Sequence, residues 1–187
     1  PKIEHAEEVR WVADVLRPRH PGLELVVLIE SPRGIKNAMD IACSTAGRDG
    51  PQITCLFLGT ADFSASIGSD LGWGALAHAR AETVLAAQEA GIDAMDGVWF
   101  DPSDEAGLID EAARIASMGF TGKASYDQVQ IANIHAAFTP TPVQVGWAER
   151  VLAAAAADPL GTARVDGKMV NESIARRARR ILDRRPT

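Results

Sequence analysis

Acidic residues follow two short apolar runs of the chain, at the positions where strands of a parallel sheet would end. Glu30 ends "VVLIE" and Asp62 follows "CLFLG". In parallel α/β proteins, ligands bind at the carboxyl ends of the strands. Two ionised carboxylates on adjacent strand ends repel each other, and a divalent cation between them removes that conflict. Because Mg²⁺ prefers oxygen ligands and takes only one or two protein carboxylates, the pattern predicts a magnesium site at Glu30 and Asp62.

Each acid also has a simpler interpretation, as a turn residue or a helix cap, and the residues by themselves leave both interpretations open. Asp101 follows "DGVWF", but the next residues, Pro-Ser, favour a role at the start of a helix. The histidines have no Cys or His neighbours at ligand spacing, and we interpret them as surface or packing residues: His5, His20, His78 and His135. The sequence has no G-x-S-x-G, P-loop or G-x-G-x-x-G motif, which disfavours a serine nucleophile and a dinucleotide site.

The elements that must position these acids alternate along the chain. Apolar runs predict strands at "LELVVLIE", "QITCLFLG", "DGVWF" and, more weakly, "GKASY", and "PKIE" is interpreted as the tail of an earlier strand. Strands that are apolar on both faces are typical of parallel sheets covered by helices. Helical periodicity and caps predict helices at "AEEVRWVADVL", "GALAHARAETVLAAQEAG", "SDEAGLIDEAARIASMG" with Ser103 as cap, "TPVQVGWAERVLAAAAAD" and "NESIARRARRILDRR". The pattern predicts an α/β protein, with a loop at "PLGTARVDGKMV".

Composition and charge exclude several classes of function. The formal net charge of −6 argues against a general nucleic-acid or anionic-membrane binder. No apolar run approaches the roughly 20 residues that cross a bilayer, and the polar start "PKIEHAEEVR" is unlike a signal peptide. Cys43 and Cys55 lie in apolar surroundings without metal-like spacing, which predicts two buried, reduced thiols and a cytoplasmic location.

A chain-ordered set of segments resembles a known family. The segments are "VVLIESPRGIKNAMDIA", "LFLGTADFSASIG", "ARAETVLAAQEAGIDAMDGVWFD", "GFTGK", "AAFTPT" and "RVDGKMV". They resemble the HpcH/HpaI aldolase and citrate lyase beta-subunit family, above all its acyl-CoA lyase branch, to which malyl-CoA lyase belongs. The resemblance implies a (β/α)8 TIM-type barrel and a Mg²⁺-dependent lyase that forms or cleaves a carbon–carbon bond.

The resemblance also implies roles for individual residues. Glu30 and Asp62 match the metal-binding Glu and Asp of the family, and Asp166 matches the acid–base aspartate of its "V-D-G-K-M" motif. In the acyl-CoA branch this motif lies in a C-terminal segment that covers the active site of a neighbouring subunit. We therefore expect a homo-oligomer acting on a 3-hydroxyacyl-CoA, with an acyl-CoA and a 2-oxo acid as products.

Only part of the barrel is represented in the sequence. Counting "PKIE", five strand ends are predicted, whereas a complete barrel has eight strands in roughly 250 residues. We expect residues 1–140 to be the C-terminal portion of a barrel, with an N-terminal portion omitted, and residues 141–187 to form a helical cap. The family's "I-H-P" triplet is replaced here by Tyr126, Asp127 and Gln128. The alternatives are a class II pyruvate aldolase that acts without CoA, which the C-terminal motif disfavours, and a noncatalytic barrel fragment or subunit.

Overall fold

Parallel strands form the sheet of the first of two units into which the chain divides, Pro1–Ile134 and His135–Thr187. The structure is a computed structural model and describes residues 1–158 and 162–185. The strands of the first unit are β1 Glu24–Ile29, β2 Gln52–Leu58, β3 Asp93–Asp96 and β4 Gly122–Lys123. They lie side by side in chain order, and every neighbouring pair is parallel. The predicted α/β class with a parallel sheet is confirmed.

Helices precede, separate and follow these strands. They are α1 Ala6–Leu16, α2 Pro32–Lys36, α3 Ala38–Ala42, α4 Thr60–Ile67, α5 Trp73–Ala90, α6 Glu105–Met118 and α7 Ile131–Phe138, with a 3₁₀ turn at Gln128–Gln130. The core contains strand residues Ile29, Leu56 and Leu58 and helix residues Leu76 and Ile115, all at least 99% buried. In β2 the consecutive residues Cys55 and Leu56 are both buried, so this strand is covered on both faces, whereas Val26 of β1 is 55% exposed.

The third strand differs from its prediction. It spans Asp93–Asp96, so the run "GVWF" that was predicted as strand lies beyond the end of the sheet. The carbonyl of Gly97 accepts a hydrogen bond from Lys123 Nζ at 2.7 Å, and the backbone of Gly97 passes so close to Thr60 that a Cβ there would collide with its side chain. The Lys123 ammonium, rather than a neighbouring strand, is therefore the hydrogen-bond donor to the Gly97 carbonyl.

The two weakest strand predictions are also corrected. "PKIE" is not a strand; it borders β1 through one hydrogen bond, from Ile3 N to Leu28 O at 3.2 Å. Lys2 has a φ of 58°, which is incompatible with an extended strand. In "GKASY", the strand includes Gly122 and Lys123 and ends there.

The predicted helices are confirmed, with one change of cap. Asp104, not Ser103, caps α6, because its carboxylate accepts a hydrogen bond from Gly107 N at 2.9 Å. Ser103 instead donates to Asp101 from both its backbone nitrogen and its hydroxyl. The Gly91 and Gly119 stops are as predicted: both glycines have a positive φ and terminate α5 and α6.

The second unit is a pair of helices with a hairpin between them. Its elements after α7 are α8 Pro142–Ala157, β5 Arg164–Val165, β6 Lys168–Met169 and α9 Glu172–Asp183. Thr141 caps α8 in a capping box with Gln144, and Asn171 caps α9. Ala148, Val151, Val170 and Ala178 form its core. The segment predicted as a loop thus contains an antiparallel hairpin, and residues 159–161 of it lie outside the described residues.

The cysteines are free but differ in exposure. Cys55 in β2 is buried, and burial raises the pKa of its thiol to about 11. Cys43 is exposed at the end of α3, so the prediction that both thiols are buried is wrong for Cys43. Within the described ranges, no helix is both long enough and apolar enough to cross a membrane.

Candidate metal centre

Glu30 and Asp62 lie at the carboxyl ends of two adjacent strands. Glu30 directly follows β1, and Asp62 is the third residue of α4, which begins two residues after β2 ends. The last residues of the strands, Ile29 and Leu58, are paired in register, and Gly59 N donates to Ile29 O at 2.9 Å. Because the strands are parallel and in register, their acids emerge at the same edge of the sheet. Asp62 was expected before a helix and instead lies in its first turn, where an acid is favourable.

Glu30 is held in a buried position. Its residue is 6% exposed, and its Oε1 accepts a hydrogen bond from the backbone nitrogen of Lys2 at 3.0 Å. Gly59 leaves room for it: a Cβ built on Gly59 would lie 2.5 Å from the Glu30 Cβ and 2.6 Å from Oε2. The glycine after β2 is therefore required for the position of the glutamate after β1.

One ammonium group contacts both carboxylates. Lys2 Nζ lies 2.6 Å from Asp62 Oδ1 and 3.8 Å from Glu30 Oε1. The hydrogen bond from Lys2 and the charge of its ammonium lower the pKa of Asp62, and the same hydrogen bond raises the pKa of Lys2. The side chains differ in exposure, with Glu30 at 7% and Asp62 at 57%. The two acids are therefore a cation-binding pair, open to solvent on the Asp62 side.

The donor set of this pair fits a hard divalent cation. Carboxylate oxygens are the ligands that Mg²⁺ prefers, and Mg²⁺ usually retains several waters rather than filling its shell with protein atoms. Over the residues that the structure describes, no group of three or more His, Cys, Asp or Glu side chains is arranged to hold a metal. Glu30 and Asp62 would thus provide two ligands and leave the remaining positions to water or substrate oxygens.

Asp101 lies in a turn before α6. Its Oδ1 accepts hydrogen bonds from Ser103 N and Ser103 Oγ, and these bonds lower the pKa of Asp101. Its carboxylate therefore orders the turn that leads into the helix, whereas the cap of the helix itself is Asp104. Nearby, the triplet that departs from the family pattern has local roles: Tyr126 donates to the carbonyl of Phe100, and Asp127 caps the 3₁₀ turn by accepting from Val129 N.

Asp166 occupies the turn of the hairpin in the second unit. Asp166 and Gly167 have φ values of 49° and 77°, as in a two-residue type I′ turn. The Asp166 carboxylate is 60% exposed and accepts a hydrogen bond from Arg150 Nη2 at 2.9 Å. The structure therefore confirms the interpretation of Asp166 as a turn residue. The acid–base role of Asp166 stays a prediction.

A buried cluster of four charges was not anticipated from the sequence. Asp96, at the end of β3, accepts hydrogen bonds from Arg80 Nε and Nη2 at 3.0 and 2.9 Å and from Lys123 Nζ at 3.1 Å. Glu111 pairs with both cations, at 2.9 Å from Arg80 Nη2 and 2.7 Å from Lys123 Nζ. Burial by itself would lower the pKa of Arg80, but hydrogen bonds and charges from Asp96 and Glu111 outweigh it and raise that pKa.

The sequence carried a signal for this cluster but not for the position of Lys2 between the two acids. Arg80 lies four residues after Leu76 and four before Val84, so a charge stands on the buried face of α5. A charge at such a position needs buried partners, although the sequence does not identify them. Lys2 is predicted only as part of a strand tail, and its place between the two acids depends on a backbone conformation with positive φ that the sequence pattern does not indicate.

Comparisons with known proteins agree on one family. Residues 1–127 match the family described as HpcH/HpaI aldolase/citrate lyase. The chain is 36% identical over 166 residues to mitochondrial citramalyl-CoA lyase of Mus musculus, covering 82% of this chain and 49% of that protein. It is 35% identical over 196 residues to citrate lyase subunit beta of Escherichia coli K12, covering 98% and 63%.

A solved structure is also similar to this chain. CitE from Mycobacterium tuberculosis, in complex with magnesium, acetoacetate and coenzyme A, has a TM-score of 0.77 and 29% identity, covering 98% of this chain and 66% of that chain. The present chain spans about half the length of the mouse citramalyl-CoA lyase and less than two thirds of the length of the Escherichia coli citrate lyase subunit beta.

Proposed function

Because this chain belongs to the HpcH/HpaI aldolase/citrate lyase family, we propose that it is part of a Mg²⁺-dependent carbon–carbon lyase. The substrate would be a 3-hydroxyacyl-CoA with a second carboxylate, and the products an acyl-CoA and a 2-oxo acid. The observation that carries the proposal is that Glu30 and Asp62, at adjacent strand ends, both lie within ion-pair distance of the Lys2 ammonium. The relatives support the substrate class, since one is a citramalyl-CoA lyase and the solved CitE contains magnesium and coenzyme A.

The complete protein is proposed to be a (β/α)8 barrel. The parallel sheet in chain order, with helices between successive strands, is what a segment of such a barrel would contain. The fraction of the relatives that the chain covers supports the same view. Residues 1–140 would then be the C-terminal portion of the barrel, and residues 141–187 a helical segment that caps the active site of a neighbouring subunit.

The residues of this chain would divide the chemistry between them. Glu30 and Asp62 would hold the ion, with Gly59 keeping Glu30 in position. When bound, Mg²⁺ supplies positive charge that polarises the substrate oxygens. Overall, the bond between the carbinol carbon and the thioester α-carbon breaks, its electron pair stays on the α-carbon, and one proton passes from the hydroxyl to that carbon. Asp166 would deliver the proton to the α-carbon.

The test is release of a 2-oxo acid from a panel of thioesters. The full-length protein is incubated with Mg²⁺ and malyl-, citramalyl- or citryl-CoA, and the oxo acid is trapped as its phenylhydrazone. Glu30→Gln and Asp62→Asn should each lose at least about 100-fold in rate, because each removes one charged ligand. Asp110→Asn is the matched control, since Asp110 is an exposed acid paired with Arg114 on the surface of α6.

Several results would contradict the proposal. Activity that survives excess chelator, or full turnover by either ligand variant, would remove the metal assignment. Cleavage of free hydroxy acids without any thioester activity would indicate a pyruvate aldolase instead.

The cap role of Asp166 has its own experiment. Asp166→Asn keeps a residue that tolerates positive φ, so the turn should persist while the acid is lost. Mixing inactive Asp62→Asn and Asp166→Asn chains under subunit exchange should restore activity, because some sites then combine an intact Asp62 with an intact Asp166. Verified exchange without recovery would show that Asp166 does not act in a neighbour's site.

A further inference from the structure

Lys2 holds the two acids of the candidate metal centre with two different groups. Its backbone nitrogen donates to Glu30 Oε1 at 3.0 Å, and its ammonium donates to Asp62 Oδ1 at 2.6 Å. The ammonium also lies 3.8 Å from Glu30 Oε1. One residue thus contacts the buried acid and the exposed acid at the same time.

The backbone of Lys2 adopts a conformation that supports this double contact. Its φ of 58° lies in the left-handed region, which residues other than glycine seldom adopt. Such conformations cost free energy and are found mostly where the surroundings require them, often at functional sites. Here the conformation accompanies the hydrogen bond from the Lys2 nitrogen to Glu30, so the local strain coincides with the position of an acid.

The charges in this site favour one cation at a time. Glu30 and Asp62 together carry two negative charges, and the Lys2 ammonium offsets one of them. A divalent ion bound to both acids would face that ammonium within a few ångströms, and like charges at such a distance repel strongly, even near a protein surface. The Lys2 side chain is 67% exposed on a flexible stem, so its ammonium can leave Asp62 and enter solvent.

We propose that Lys2 is a positioning residue that occupies the cation position in the absence of metal and is displaced from Asp62 when a divalent ion binds. Lys2 thereby keeps two like charges from repelling each other in the metal-free protein, and it lowers the affinity for the metal by competing with it. This inference rests on the metal site proposed above, and it adds a residue that sets the strength of that site.

Direct metal binding tests the inference without reference to activity. Mn²⁺, which shares the preference for oxygen ligands, is titrated into the full chain and followed by electron paramagnetic resonance. Lys2→Met should bind Mn²⁺ about tenfold more tightly than wild type at low ionic strength, because the competing charge is gone. The difference should shrink at roughly 1 M salt, where exposed charges are screened over a few ångströms.

Matched variants separate charge from backbone effects. Lys2→Arg keeps the charge and should bind Mn²⁺ within about threefold of wild type. Lys2→Gly adopts positive φ without strain and keeps the nitrogen that donates to Glu30, so it should resemble Lys2→Met. Lys36→Met removes an equal charge from an exposed position at the end of α2 and should leave the affinity unchanged.

The outcomes distinguish this inference from the proposed function. If Lys2→Met and wild type bind Mn²⁺ equally, or if Lys2→Met binds more weakly, the competition is refuted while the metal site stands. If neither protein binds Mn²⁺, the metal site itself falls, and the role of Lys2 falls with it. Tighter binding by Lys2→Met that Glu30→Gln abolishes in the same titration supports both.

Discussion

The buried charge cluster should make Asp96 one of the most sensitive positions for stability. Asp96 is 0% exposed, and three hydrogen bonds from Arg80 and Lys123 converge on its carboxylate. The cluster is balanced, with two cations and the two acids Asp96 and Glu111. Asp96→Asn leaves an excess positive charge in the interior and replaces one acceptor oxygen by a donor. Removing one partner of a buried ion pair typically costs about 3–5 kcal/mol, which is a large part of the 5–15 kcal/mol of a typical domain.

The free energy of unfolding is measured by urea titration of the full chain. Tryptophan emission follows unfolding, and one of the four tryptophans, Trp73, has its ring centre 4.8 Å from the Arg80 guanidinium carbon. Asp96→Asn should lower the free energy of unfolding by about 3–5 kcal/mol. The double variant Asp96→Asn/Lys123→Met restores the charge balance, so it should lose less than the sum of its single variants.

Asp110→Asn provides the control for this measurement. Asp110 is 62% exposed and pairs with Arg114 at 2.9 Å on the surface of α6. Its removal should change stability by less than about 1 kcal/mol. If the free energy of unfolding of Asp96→Asn stays within about 1 kcal/mol of wild type, removing this acid does not leave an uncompensated buried charge, and the reasoning is refuted.

Three further predictions concern single positions. Gly59→Ala should destabilise the fold by about 1–3 kcal/mol in urea titration and weaken Mn²⁺ binding, because the new Cβ displaces Glu30; unchanged binding would contradict this. A thiol reagent at pH 8 should modify Cys43 and spare Cys55, whose pKa is raised to about 11 by burial, and both should react in urea; two fast thiols in the native protein would refute it. Asp104→Ala should cost about 1 kcal/mol through loss of the α6 cap, and no loss of stability would restore the original assignment of that cap.

Most secondary structure could be predicted because its causes are local. Thr141 followed by Pro142 starts α8, and Gly91 and Gly119 end α5 and α6, as their types and positions indicate. The strands β1 and β2 could be predicted from apolar runs, which are typical of a sheet covered on both faces, although in the structure only β2 is covered in this way. Local sequence did not decide between two neighbouring candidates for the cap of α6. The cap is Asp104 rather than Ser103, because Ser103 is hydrogen-bonded to Asp101.

The sequence by itself determined the α/β class and the position of Glu30 at a strand end and of Asp62 just beyond one, since both follow from residue types and chain order. Only the tertiary structure decided what surrounds those residues. Lys2 reaches Glu30 and Asp62 across 28 and 60 positions of the chain, through a backbone conformation that no local pattern predicted. The partners of Arg80 likewise come from another strand and another helix. Contacts between distant residues depend on how the elements pack, and packing is a property of the whole fold that short-range periodicity does not contain.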